Sequence, residues 1–189
     1  MERYDTESWN AIRSLCASYG MNEKEVYAKA KELLAIYRRL CWRSTERAGL
    51  TREDILYYSM ATDLDDALIY LEQFAPDKER QEYEGRVAAL FKTRWMVELV
   101  EEAVLAVKDF PFEGRMYFDI LSKSYFDRKK HTEDELIDMV GLSRSRFYDR
   151  KKEAVMAFGI ALWGYYIPKA KEEVKDSQDV LTEVSMAVE

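Results

Sequence analysis

At 189 residues the chain has room for one large or two small domains. Its 48% hydrophobic and 34% charged content is too apolar for a disordered segment, and its formal net charge of −7 excludes a general basic footprint. Only 7 Gly and 3 Pro, with no strand-like alternation, predict an all-α fold.

The start, MERYDTES, carries no signal-peptide pattern. Asp5 or Thr6 can cap a first helix with Trp9, Ile12, Cys16 and Tyr19 on its apolar face, ending at Gly20. Asn22 with Glu25 starts a second, striped by Val26, Ala30, Leu33, Tyr37 and Leu40 and closed by Gly49. Thr51 with Asp54 caps a third, carrying Ile55, Tyr58, Leu64, Leu68 and Leu71, with a break near Thr62-Asp63. Pro76 and Asp77 open a long fourth, with Tyr83, Val87, Leu90, Val97, Val100 and Val104 inward and Pro111 as its stop. These helices form an expected N-terminal bundle, a scaffold or oligomerisation region over residues 1–110. Cys16 and Cys41 make neither a disulfide framework nor a metal spacing, which fits a reduced, cytoplasmic chain.

After a lead-in helix, the stretch TEDELIDMVGLSRSRFYDRKKEA, Thr132 to Ala154, reads as a helix, a short turn and a second helix. Thr132 and Glu135 have capping-box spacing. Leu136, Ile137 and Val140 supply an apolar face, Gly141 can end the helix in the left-handed conformation, Leu142 can pack into the bend, and Ser143 can cap the second helix. Such a pair is a helix-turn-helix, whose second helix can lie in the DNA major groove. With Phe147 inward, Arg144, Lys151 and Ala154 fall within a quarter turn of it; Ser145, Asp149 and Lys152 lie opposite, with Tyr148 beside them. Arg146 and Arg150 take the other flank. Arg and Lys neutralise phosphates or read guanine, and Ser and Tyr reach phosphates or base edges. Asp149 either accepts from a cytosine amino group or pairs with Arg146 or Lys152. The candidate contacts to double-stranded DNA are therefore Ser143, Arg144, Ser145, Arg146, Tyr148, Asp149, Arg150 and Lys152, with Lys129 and Lys130 just ahead of the first helix. From Ser122 to Lys152 nine Lys/Arg stand against six Asp/Glu, a positive patch on an acidic body.

The second helix continues beyond its basic residues. Phe147, Ala154 and Ala161 repeat at heptad spacing, as do Lys151, Phe158 and Tyr165, and Val155, Leu162 and Trp163 add to an apolar half. That half must pack on the N-terminal helices or form the seam of a homodimer. Gly164 and Pro168 are expected to end it, so the module spans residues 111–168 and a polar, frayed tail spans 169–189. The longest uncharged run, Ala154 to Pro168, is shorter than the roughly 20 residues a membrane span needs.

The run SRSRFYDRKKEAVMAF resembles the recognition helix of sigma-70 region 4, in which a Ser cap, an Arg, an apolar residue and a later Ala recur at this spacing. The preceding FPFEGRMYFDILSKSYFD is similar to that domain's lead-in, with Pro111 at the helix start and Arg115 and Leu121 following. The closer resemblance is to sigma-region-4-like transcriptional regulators of phage and prophage, the ArpU-type group, through Ser143, Ser145, Phe147, Tyr148 and the Glu153-Ala154 step. It covers about 60 residues at the C-terminal end. Leu33-Leu34 and Tyr37-Arg38-Arg39-Leu40 are similar to that group's N-terminal helix. The resemblance implies control of phage transcription by DNA binding through the second helix, and leaves contact with RNA polymerase open. Arg150 stands where sigma factors usually carry an apolar residue.

Enzyme chemistry is poorly represented. His131, the single histidine, sits beside Lys130 at a helix entrance and is expected at the surface. No Gly-rich loop could cradle a phosphate, and no Ser or Cys nucleophile has a recognisable base. Glu98 with Glu101, and Glu135 with Asp138, are pairs of the kind that bind Mg²⁺ in all-α nucleotide pyrophosphohydrolases, but solvated helix faces explain them better. The cluster Asp63, Asp65 and Asp66 reads as a helix boundary. No catalytic residue, cofactor or metal site is expected. The alternatives to a regulator are a phage DNA-packaging small subunit and, behind it, such a pyrophosphohydrolase.

Overall fold

The computed structural model describes residues 7–45, 94–173 and 175–176. These are all-α: α1 (Glu7–Ser18), α2 (Glu23–Thr45), α3 (Arg94–Ala106), α4 (Gly114–Leu121), α5 (Glu133–Val140) and α6 (Arg144–Ala161). The sequence-predicted third helix, the start of the fourth, Gly49, Cys41 and the Asp63 cluster lie outside the described residues or their described side chains.

Helical periodicity decides which faces are buried. Trp9, Ile12 and Cys16 of α1 pack with Val26, Met156 and Ile160. Tyr19, expected on that face, is exposed, because the chain turns away at Gly20. Asn22 starts α2 by accepting from the amides of Lys24 and Glu25 at 3.0 and 3.2 Å. The stripe Ala30, Leu33, Leu34, Tyr37 of α2 and Val100, Ala103, Val104 of α3 close over Ala154, Val155, Ala157 and Phe158 of α6. α6 is therefore the element around which the others assemble. Its apolar half packs in the chain's own core, the first of the two arrangements the sequence allows. Close approach of α2 requires Gly159, where an added Cβ would lie 2.7 Å from Val26 Cγ1 and 3.1 Å from Ala30 Cβ.

A second, smaller core joins α4, α5 and α6. Ile120, Leu136 and Phe147 are buried together, with Met116, Ile137, Val140 and Leu142 against them. Tyr117 and Leu121 of α4 face the main core instead, so the two cores share α4 and α6 as walls. The division at residue 111 is thus not a gap in packing.

Two wide turns extend the helices. The amide of Asp127 donates to Ser122 O at 2.9 Å after the π-helical Ser122–Phe126. Leu162–Tyr166 does the same beyond α6, with the Ile167 amide reaching Leu162 O. Helix then continues through Pro168 to residue 173, and Ala170 is buried. The expected stop at Gly164 and Pro168 is therefore displaced. The π-turn interrupts the i→i−4 ladder just ahead of the proline, where its missing amide and its ring are tolerated. No helix among the described residues is long and apolar enough to cross a membrane.

Phe147 is fully buried at the meeting of α4, α5 and α6. Phe147→Ala should cost about 3–5 kcal/mol in denaturant unfolding. Hydrogen exchange should lose protection from Thr132 onward; a change near zero would mean that this small core does not hold the module.

Candidate nucleic-acid interface

The α5–α6 pair is specified by local hydrogen bonds. The Glu135 amide donates to Thr132 Oγ1 at 3.2 Å, and the Thr132 amide donates to Glu135 Oε2 at 2.8 Å. The Glu135 carboxyl is held below its ordinary range, first by this backbone bond and then by Lys129. The cap therefore contributes stability above the unfolded carboxylate range and loses it as pH falls through the lowered value. Gly141 takes the left-handed conformation at φ 70°, its amide 3.0 Å from Ile137 O. Ser143 then caps α6, its Oγ accepting from the Arg146 amide at 3.4 Å.

Beyond this cap the first turn of α6 is largely open to solvent. Ser143, Arg144, Ser145, Arg146 and Tyr148 are exposed. Arg144 pairs with Asp134 of α5, and the Tyr148 hydroxyl donates to Glu133 at 2.6 Å. That bond raises the Tyr148 pKa. Asp149 is half-buried. Lys129 and Lys130 are exposed in the link before α5, Lys129 lying 3.4 Å from Glu135. His131, expected at the surface, is turned inward: its side chain is 8% exposed and Nε2 lies 2.9 Å from Asp127 Oδ2. The link wraps its ring between the carboxylates of Asp127 and Glu135, four residues away on either side.

Two basic residues assigned to the outer surface are placed differently. Arg150 points toward α1 and α4. Its guanidinium pairs with Glu153, donates to Ser8 Oγ at 2.9 Å and lies 3.8 Å from Glu113. A helical wheel puts it on a flank of α6; the tertiary neighbours make that flank an interface. Lys152 lies against α1 and α2, its Nζ 4.9 Å from the Trp9 ring and 6.0 Å from that of Tyr27. Lys151 faces inward as expected, over Tyr125 and Phe147, and burial lowers its pKa.

The polar cluster around Arg150 is not evident from helical periodicity. Glu153 is 5% exposed, in a run where every residue from Glu153 to Ile160 is buried. Its carboxylate accepts from Tyr117 OH at 2.8 Å, from Ser8 Oγ at 3.3 Å and from Arg150. Burial, with the Glu153 carboxylate adding to it, pushes the Tyr117 hydroxyl well above the usual phenol range. The one sequence signal is an acid opening the apolar run EAVMAFGIALW.

The acidic pair on α3 has a structural use, since Glu101 accepts from Tyr37 OH at 2.9 Å. Among the described residues no group of three or more His, Cys, Asp or Glu is placed to hold a metal ion. Compared with protein-family models, with curated proteins and with solved structures, the chain matches none.

Removing one member of a buried charge pair strands the other, which costs about 3–5 kcal/mol. Glu153→Ala should therefore destabilise by that order in urea titrations and release hydrogen-exchange protection in α1. Combining Glu153→Leu with Arg150→Met should recover most of the loss. A Glu153→Ala variant as stable as the parent would contradict this account of the cluster.

Proposed function

We propose that the chain is a DNA-binding transcriptional regulator of the phage and prophage type, and that it reads duplex DNA with the N-terminal part of α6. One observation carries this reading. α6 is buried from Glu153 to Ile160, while Ser143 to Arg146 and Tyr148, at its other end, are exposed to solvent. A helix held by packing at one end with its capped, basic first turn exposed is an arrangement suited to major-groove docking. The exposed amides of that turn add a site favourable to phosphate.

Ser143, Arg144, Ser145, Arg146 and Tyr148 are the contacts assigned to bases and adjacent phosphates, with Lys129 and Lys130 meeting the backbone. Arg150 is reassigned to holding α6 in place. Arg144 and Tyr148 exchange their α5 partners, Asp134 and Glu133, for DNA on binding. Exposed ion pairs are worth about 0–1 kcal/mol, so that exchange is inexpensive. The reading leaves contact with RNA polymerase open, and a homodimer would have to use a surface other than the apolar half of α6, which packs in the chain's own core.

Fluorescence polarisation with duplex DNA at several salt concentrations tests the reading. Affinity should fall linearly on a log–log plot as salt rises, because neutralised phosphates release counterions. Arg146→Ala should weaken binding without lowering Tm. Asp134→Asn should strengthen it, since it removes a carboxylate that competes for Arg144. Absence of binding to any duplex at low salt would refute the proposal.

A further inference from the structure

We infer that Lys151 extends the DNA-binding surface of α6: with Tyr148, one turn before it, Lys151 holds a phosphate of the DNA backbone in the place that the Glu133 carboxylate takes in the free chain. This inference rests on the DNA-binding reading above.

Arg144, Tyr148 and Lys151 follow one another at helical spacing, so they share one face of α6 and span about 10 Å along its axis. Arg144 and Tyr148 belong to the exposed stretch, and Lys151 continues it on the same face. The acidic first turn of α5 lies along this row. Asp134 pairs with Arg144, and Glu133 accepts from the Tyr148 hydroxyl at 2.6 Å. Glu133 is also the opposite charge that acts on Lys151.

Lys151 is short of partners. Its ammonium lies over the rings of Tyr125 and Phe147, 5.4 and 5.6 Å from their centroids, and among the described residues no carboxylate pairs with it. It is half-buried, and its nitrogen keeps contact with solvent. Burial holds it below the usual lysine range; Glu133 opposes that shift and the charge of Lys31 on α2 adds to it. A cation in such a place gains more from an added anion than one on the open surface, because water screens it less. One carboxylate thus serves both the Tyr148 hydroxyl and the Lys151 ammonium. Side chains one turn apart are about 5–6 Å from each other at Cβ, so a phosphate can accept from Tyr148 through one free oxygen and meet Lys151 with the other. Glu133 is exposed, and its release to solvent costs little.

The test uses the full chain, the neutral variants Lys151→Met and Lys151→Gln, the charge-keeping Lys151→Arg, Glu133→Gln and Arg146→Ala, with two duplexes of unrelated sequence and a salt series. Lys151→Met keeps the apolar stem and should hold the parental Tm. Both neutral variants should weaken the two duplexes alike and reduce the magnitude of the log–log salt slope by about 1. Lys151→Arg should restore the slope. Glu133→Gln should tighten binding in the parent and by less in Lys151→Met, because the competing carboxylate then faces one group instead of two. An unchanged slope in the neutral variants, with Arg146→Ala still impaired, would overturn the role of Lys151 and leave the α6 reading standing. A lowered Tm in both neutral variants would also overturn it, by assigning the ammonium to the fold. Loss on one duplex only would do the same, because a backbone contact carries no sequence preference. No binding by the parent chain would remove both proposals.

Discussion

A carboxylate buried at the head of the apolar half of a helix has to be met by donors from its neighbours, and Glu153 is met by three. Tyr117 comes from α4, Ser8 from α1 and Arg150 from the preceding turn of α6 itself. Leaving any of them out would expose the others to a large desolvation penalty, so the cluster selects one docking of α1 and α4 against α6. An apolar core alone tolerates sliding; a set of directional bonds does not. Trp9, Ile12 and Cys16 then pack beside it, and Gly159 lets α2 close over the next turn.

That constraint gives the two ends of α6 their different characters. The half from Glu153 is enclosed and carries the packing energy of the main core. The first turn has only the small core around Phe147 beneath it and is otherwise exposed. Under the proposed function the enclosed half fixes the angle at which the exposed half meets DNA. The acids of α5 modulate it: Glu133 and Asp134 occupy Tyr148 and Arg144 in the free chain, which restrains nonspecific attraction in a molecule of net charge −7.

Legibility in the sequence depends on the range of the interaction. The capping box, the left-handed Gly141 and the Ser143 cap are contacts between residues a few positions apart, and each is readable from spacing alone. So is Phe147, because helical periodicity within α5 and α6 leaves it no other side. Arg150 and Lys152 are misplaced by the same periodicity for the opposite reason. Their partners, Ser8 and Trp9, lie more than 140 positions away, and a helical wheel holds no information about what covers a flank. His131 misleads similarly, since its polar neighbours suggest solvent when two of them, Asp127 and Glu135, are the groups that enclose its ring. Pro168 reads as a stop because a π-turn that absorbs a proline has no sequence signature comparable to a cap.

The central claim is that the exposed turn of α6 faces the DNA. Directed cleavage tests it most directly: an iron chelate attached at Ser145→Cys, in a chain with Cys16 and Cys41 replaced by alanine, is allowed to cut a bound duplex. The same chelate on Leu105→Cys of α3 serves as the comparison, Leu105 being exposed elsewhere on the surface. The account predicts localised cleavage from position 145 and little from 105. Cleavage from 105 with none from 145 would contradict it.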